Sequence, residues 1–284
     1  MKIIVWILNI LIFIVIVGFV IVSIGKMMFN NKVKSEIRQL FAKVYDKETK
    51  IITEKDLKGL PESVQRWLKN SNVVGKERIR TVRLKQKGIM RLKKEQPWIK
   101  YRVEQYYRVD EPSFIWKAKV KMNPLLYFNG RDIYYKGKGN MLIKLLSLIP
   151  VVNAKGKEID QGTLLRYLGE IVWFPTAALS DYIKWEEVDS NSAKATMSYG
   201  EITASGIFTF NDKGDVISFT AKRYMETNGQ FKLETWTIPL DEYKKFNGIR
   251  IPYKGRVVWL LDSGDFEWYY FEITDIEYNK PKIY

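Results

Sequence analysis

One stretch of the chain gathers the side chains best able to do chemistry: Thr163-Leu164-Leu165-Arg166-Tyr167-Leu168-Gly169-Glu170-Ile171-Val172-Trp173, closed by Phe174-Pro175. Arg166 and Glu170 are spaced so that a helix brings them to one face, where an exposed pair contributes about 0.2–0.5 kcal/mol. Turned towards a cavity, they would be the only charged members of an otherwise apolar helix, able to clamp an anion or hold a proton. Asp160 is a second carboxylate near the same segment. Two carboxylates can share acid and base work without histidine if burial separates their pKa values. Phe114, Trp116, Tyr167 and Trp173 are aromatics that could instead line a pocket for an acyl chain or other apolar ligand.

Composition narrows the choice. With no cysteine and no histidine in 284 residues, disulfides, thiolate nucleophiles, imidazole bases and His- or Cys-built metal sites are excluded. No metal and no cofactor are expected. Net charge is +15, unevenly placed: residues 76–121 hold 15 Lys and Arg against 5 Asp and Glu, and residues 201–284 hold 11 against 13.

The elements that would position these groups begin with a membrane segment. Ile3 to Gly25 reads IIVWILNILIFIVIVGFVIVSIG without a charge, which as a helix crosses a hydrocarbon core of roughly 30 Å. The run is too long for a signal peptide and lacks a small-residue cleavage site. Residues 1–26 are therefore expected to be a single-pass transmembrane anchor. Lys26, Lys32, Lys34 and Arg38 follow it, and by charge count alone would keep the domain cytoplasmic. Beside an anchor, the basic segment is matched to membrane lipid head groups or an anionic envelope polymer, each cation contributing about 1 kcal/mol near an anionic leaflet. No nucleic-acid partner is expected.

Residues 27–75 read as a helical stalk or cap. Ile37, Leu40, Phe41 and Val44 form one stripe, and Leu60-Pro61 starts a second helix carrying Val64, Trp67 and Leu68. From residue 78 the period becomes two. Ser113 to Met122 sets Phe114, Trp116, Ala118, Val120 and Met122 on one face and Lys117, Lys119 and Lys121 on the other. With the basic strands 79–90 and 98–108, this predicts an apolar inner face and a cationic outer one that meets an anionic surface. Further strands follow at 193–199, 201–210, 216–225, 231–239, 249–261 and 266–278, with hairpin turns at Asn211-Asp212-Lys213-Gly214 and Asp262-Ser263-Gly264-Asp265. The fold class expected is thus a transmembrane helix plus an α+β domain over 76–284. In it a curved antiparallel sheet, a half-barrel, wraps around or is capped by helices, with the helix 160–174 inserted.

Leu60-Pro61 with Val64 and Arg66, Val82-Arg83-Leu84 with Gln86 and Gly88, Phe114 with Trp116 and Ala118, and above all Gly162-x-Leu164-Leu165-Arg166-Tyr167-Leu168-x-Glu170-x-x-Trp173-Phe174-Pro175-Thr176-Ala177 resemble the uncharacterised bacterial membrane-associated family DUF6544. Trp185, Ala193, Ala195-Thr196, Tyr243, Gly248, Ile251-Pro252 and Trp259 extend the resemblance from residue 60 to about 278. It implies a fold similar to the lipoprotein-carrier (LolA-like) class, a curved sheet enclosing an apolar cavity, and hence an extracytoplasmic domain. It names no catalytic residue. The expected function is a membrane-anchored, non-catalytic binding protein for a lipid or other apolar ligand at the cell envelope, through Phe114, Trp116, Arg166, Tyr167, Glu170 and Trp173. The alternatives are a carboxylate enzyme acting at the membrane through Glu170 and Asp160, and a sensor or scaffold for a membrane-protein partner.

Overall fold

The computed structural model describes residues 2–42, 44, 49–123 and 125–284; parts of the expected anchor and stalk, residue 1 and residues 43 and 45–48, lie outside them. Helix α1 runs unbroken from Lys2 to Leu40. Its apolar residues from Ile3 to Val20 stay exposed, and it is long and apolar enough to cross a membrane. No helix breaker lies between Lys26 and Ala42, so the helix continues past the apolar run. Its buried residues begin at the last residue of that run: Gly25, Phe29, Val33, Ile37 and Leu40, a stripe at helical spacing.

Six strands follow as a meander of hairpins: β1 Thr81–Met90, β2 Ile99–Arg108, β3 Ser113–Lys121, β4 Tyr127–Tyr135, β5 Lys138–Leu145 and β6 Ile149–Ala154. The apolar run from Met141 to Val152 is thus a hairpin, turned at Leu146 and Ser147 with positive φ. Helices α2 (Glu62–Asn70) and α3 (Lys157–Glu170) flank this half, and α3 passes into short 3-10 turns at Ile171–Trp173 and Pro175–Leu179. The second half supplies β7 Ile183–Asp189, β8 Ser192–Tyr199, β9 Ile202–Phe210, β10 Val216–Thr227, β11 Gln230–Pro239, β12 Tyr243–Phe246, β13 Ile249–Pro252, β14 Lys254–Leu260 and β15 Phe266–Tyr278.

Thirteen of these strands make one sheet in the order β6-β5-β4-β3-β2-β1-β15-β14-β11-β10-β9-β8-β7, with antiparallel neighbours, while β12 and β13 form a small ribbon of their own. Helix α3 packs on β4 and β5 near one border and on β8, β9 and β10 near the other. The sheet therefore curls round α3 as a half-barrel. This explains why α3 is buried on nearly every side although it carries charges. Gly169 lets it seat closely, since a Cβ there would lie 2.8 Å from the Phe219 ring.

Two apolar clusters lie on opposite faces. The concave one joins α2, α3 and the inner strand residues, including Trp67, Tyr107, Phe114, Leu165 and Phe219. The convex one is smaller: Phe29, Val33, Ile37, Leu40 and Phe41 of the α1 segment cover Tyr106, Ile115 and Leu142. The outer face of β1 to β3 is therefore not cationic throughout, because its far end is an apolar seat for α1. An ion pair between Glu36 and Arg131, at 3.2 Å with the Arg131 side chain buried, fixes that seat.

Candidate functional site

Within the half-barrel a network of charged and polar side chains centres on Arg166. Arg166 Nε donates to Glu170 Oε1 at 2.9 Å, and its NH1 donates to Asp132 Oδ2 at 3.0 Å. The other Glu170 oxygen, Oε2, accepts from Gln105 Nε2 and from the Tyr107 hydroxyl, both at 2.9 Å. The guanidinium carbon of Arg166 stands 5.1 Å from the Phe114 ring centre and 5.2 Å from that of Trp116. Burial opposes the charge on Arg166, but Glu170 and Asp132 outweigh it and raise its pKa further above the ordinary arginine value. Asp132 is pushed above the usual carboxylate range because its burial outweighs the attraction of Arg166, Arg131 and Arg223.

A second arginine completes the cluster. Arg223 reaches inward from β10, its guanidinium carbon 4.7 Å from the Trp236 ring centre and 6.0 Å from that of Trp259. Burial, and then Arg166, hold its pKa down at about 10. Among the described residues, its buried Nε and the buried Asp132 Oδ1 have no hydrogen-bond partner. Both residues line a cavity of about 260 Å3 that Arg166 also borders. Met225, Phe231, Trp259, Phe266 and Trp268 give it an apolar wall, and Arg91 and Leu92 of the β1–β2 turn border it.

Several residues expected at a ligand pocket lie elsewhere. Phe114 and Tyr167 are fully buried and Trp173 nearly so, packed by other aromatics instead of facing a cavity. Tyr107 and Phe174 approach to 4.7 Å, and Trp173 meets Phe271 edge-on at 5.3 Å. The Tyr167 hydroxyl is spent on the Arg108 carbonyl and on Tyr182. Trp116 lies under Arg166. Thus Arg166 is at the cavity and Glu170 sits behind it, and the cavity is not the largest.

The larger spaces lie on the convex face. Grooves of about 850 and 610 Å3 are bordered by basic residues, among them Lys87, Lys100, Arg102, Lys119 and Lys121, with Lys26 of α1 beside them. Lys117 pairs with Glu104 at 3.1 Å. The pKa of Lys119 is lowered, first by burial and then by the charges of Lys26 and Lys121.

Asp160 and Glu170 are not brought together. Ten residues apart on one helix, they are separated by about 15 Å along its axis, well beyond the roughly 5–9.5 Å of paired catalytic carboxyls in glycoside hydrolases. Asp160 instead braces α3 against the β4–β5 turn, accepting from Gly139 N at 2.6 Å and from Lys138 Nζ at 3.2 Å. No group of three or more acidic residues placed to hold a metal occurs among the described residues.

Asp132 and Arg223 are the charged members of the cluster that the motif does not contain, and Gln105 and Tyr107 are its uncharged ones. The signal is present: Gly130, Asp132 and Tyr134 share one face of β4, and Phe219, Ala221, Arg223 and Met225 one face of β10. Each strand thus sends one charge into an apolar row.

Residues 50–271 match the model of a family of unknown function, DUF6544, and the chain belongs to that family. No curated protein matches it. Solved structures similar in fold include a DUF1329 family protein from Desulfovibrio piger, 9% identical over 76% of this chain and 92% of that one with a TM-score of 0.42. A domain assigned to outer membrane lipoprotein sorting from Vibrio parahaemolyticus is 7% identical over 72% of this chain and 87% of that one, with a TM-score of 0.39. A LolA superfamily protein from Nitrosomonas europaea is 8% identical over 76% and 94%, with a TM-score of 0.35.

Proposed function

We propose that the chain is a membrane-anchored binding protein that takes an amphiphile with an anionic head into the cavity beside Arg223. The observation that carries this reading is the pairing of an apolar wall with an inward arginine whose buried Nε lacks a partner among the described residues. Burying such a donor unpaired costs free energy that a bound anion would offset. At about 260 Å3 the cavity is just below the usual range of roughly 300–1,000 Å3 for small-molecule sites. It suits a head group with part of one chain, not a whole diacyl lipid. Exposed apolar α1 residues fit an anchor that keeps the domain beside its ligand.

The reading keeps the domain on the outer side of the cytoplasmic membrane. Labelling Val188→Cys in intact cells with an impermeant maleimide tests that sidedness. For the ligand, lipids extracted from the detergent-purified full chain are compared by mass spectrometry with those from Arg223→Met. An anionic amphiphile present at near one per chain and lost from the variant is expected. Equal lipid content in the two preparations would sink the proposal.

A further inference from the structure

The course of α1 sets where its exposed apolar part leaves the domain. Phe41 packs against Tyr106 at 6.1 Å, and the Ala42 carbonyl accepts from Arg108 NH1. At the other end Gly25 lies against the β5–β6 turn so closely that a Cβ there would overlap the Leu148 side chain. The helix therefore runs along β2 and β3 and leaves the domain beside Leu148, with its exposed apolar part beyond that point.

The hairpin registers place three turns at this same exit. Met90 pairs with Ile99, Lys121 with Tyr127 and Leu145 with Ile149, while Tyr101 opposite Val120 and Phe128 opposite Leu145 bring those ends level. These turns and their flanks carry Leu92, Met122, Leu125, Ile149 and Val151, all exposed, Leu125 at 86%. Scattered apolar surface residues need no explanation, but a cluster at one end does. The basic convex grooves adjoin the same exit through Lys26, Lys119 and Lys121.

We infer that the rim of hairpin tips around the α1 exit is a second membrane contact, in which Leu92, Leu125 and Ile149 enter the interfacial layer while Lys119 and Lys121 meet anionic head groups. The inference rests on the reading of α1 as a membrane anchor and goes beyond it, since a tethered domain could equally stand clear of the bilayer. Charge and apolar surface reinforce each other at such an interface, as they do for interfacial helices. Leu92 also borders the Arg223 cavity, so a domain seated on this rim would hold the cavity border against the lipid from which its ligand comes.

The chain contains no cysteine, so single cysteines report cleanly. Full-length Phe13→Cys, Leu125→Cys, Ile149→Cys and Val188→Cys variants carry an environment-sensitive fluorophore in nanodiscs of phosphatidylcholine and phosphatidylglycerol. Lipids with a nitroxide high on the acyl chain act as quenchers, with deep-nitroxide lipids for the probe at 13. Loss of fluorescence is expected at 13, 125 and 149, and none at 188, on the opposite border strand. Lys119→Gln with Lys121→Gln should reduce quenching at 125 and leave 13 unchanged. Quenching at 13 with 125 and 149 as bright as 188 overturns the rim contact and spares the anchor. No quenching at 13 removes the anchor, and the rim contact with it.

Discussion

Arg166 and Glu170 meet inside the half-barrel at 2.9 Å, one turn apart on a helix with almost no exposed face. Glu170 is held on its far side by Gln105 and Tyr107, and Arg166 by Asp132. Removing one charge strands the others in a poorly solvated place. Arg166→Met is therefore expected to cost about 3–5 kcal/mol, the usual penalty for breaking a buried pair from one side. An exposed pair would lose less than about 0.5 kcal/mol. Chemical denaturation of the detergent-solubilised chain separates the two outcomes.

Asp132 gives the cluster a pH signature. Its folded pKa lies above the ordinary 3.8, so the ionised form destabilises the fold. That penalty is absent below the unfolded value, grows as pH rises through the folded value and is complete above it. Asp132→Asn keeps an acceptor for Arg166 and removes the penalty. The stability of the variant relative to the native chain should thus climb from about pH 4 and then level off. A difference that is flat with pH would refute this assignment.

The two halves of α1 should behave differently on truncation. Deleting residues 2–24 removes a segment that is exposed throughout apart from the half-buried Val22, and the melt of the remaining domain should be nearly unchanged. Deleting residues 2–42 uncovers Tyr106, Ile115 and Leu142 and leaves Arg131 without Glu36. Each large apolar side chain returned to water loses roughly 1.5–3 kcal/mol of burial free energy. The second truncation should melt far lower or fail to fold cooperatively; matching melts would show that the lower helix is not part of the core.

Much of this fold is legible in the residues, and the limits have physical causes. Alternation along Phe114 to Met122 marks a strand because one face is buried and the other is not. The end of the expected anchor is harder to see. Lys26 reads as a boundary for a membrane, yet backbone hydrogen bonding continues wherever no proline or glycine interrupts it, and here the helix runs on to Leu40. The Arg166–Glu170 pair follows from their spacing, but its burial depends on curl, which places β4 and β10 on opposite sides of α3. Periodicity along one strand carries no information about that, so Asp132 and Arg223 could be suspected only as odd charges in apolar rows. The aromatics Tyr167 and Trp173 mislead for a related reason: a rich aromatic core and a ligand pocket draw on the same residue types.

Arg223 supplies the last prediction, because it joins the electrostatics to the proposed ligand. Its pKa is held down at about 10, so the charged form destabilises the fold at neutral pH, and this cost is relieved only as pH rises through the folded value. An anion in the cavity beside the guanidinium would offset the same cost. Arg223→Met should accordingly leave the ligand-free chain as stable as the native one or more so, despite the lost contact with Trp236. It should also abolish the rise in melting temperature that an added single-chain anionic amphiphile, lysophosphatidylglycerol, gives the native chain. Arg223→Lys keeps a charge without the planar fork of donors, and should recover only part of that rise. If Arg223→Met instead loses as much stability as Arg166→Met and still responds to the amphiphile, Arg223 is a packing residue and the cavity does not select anions.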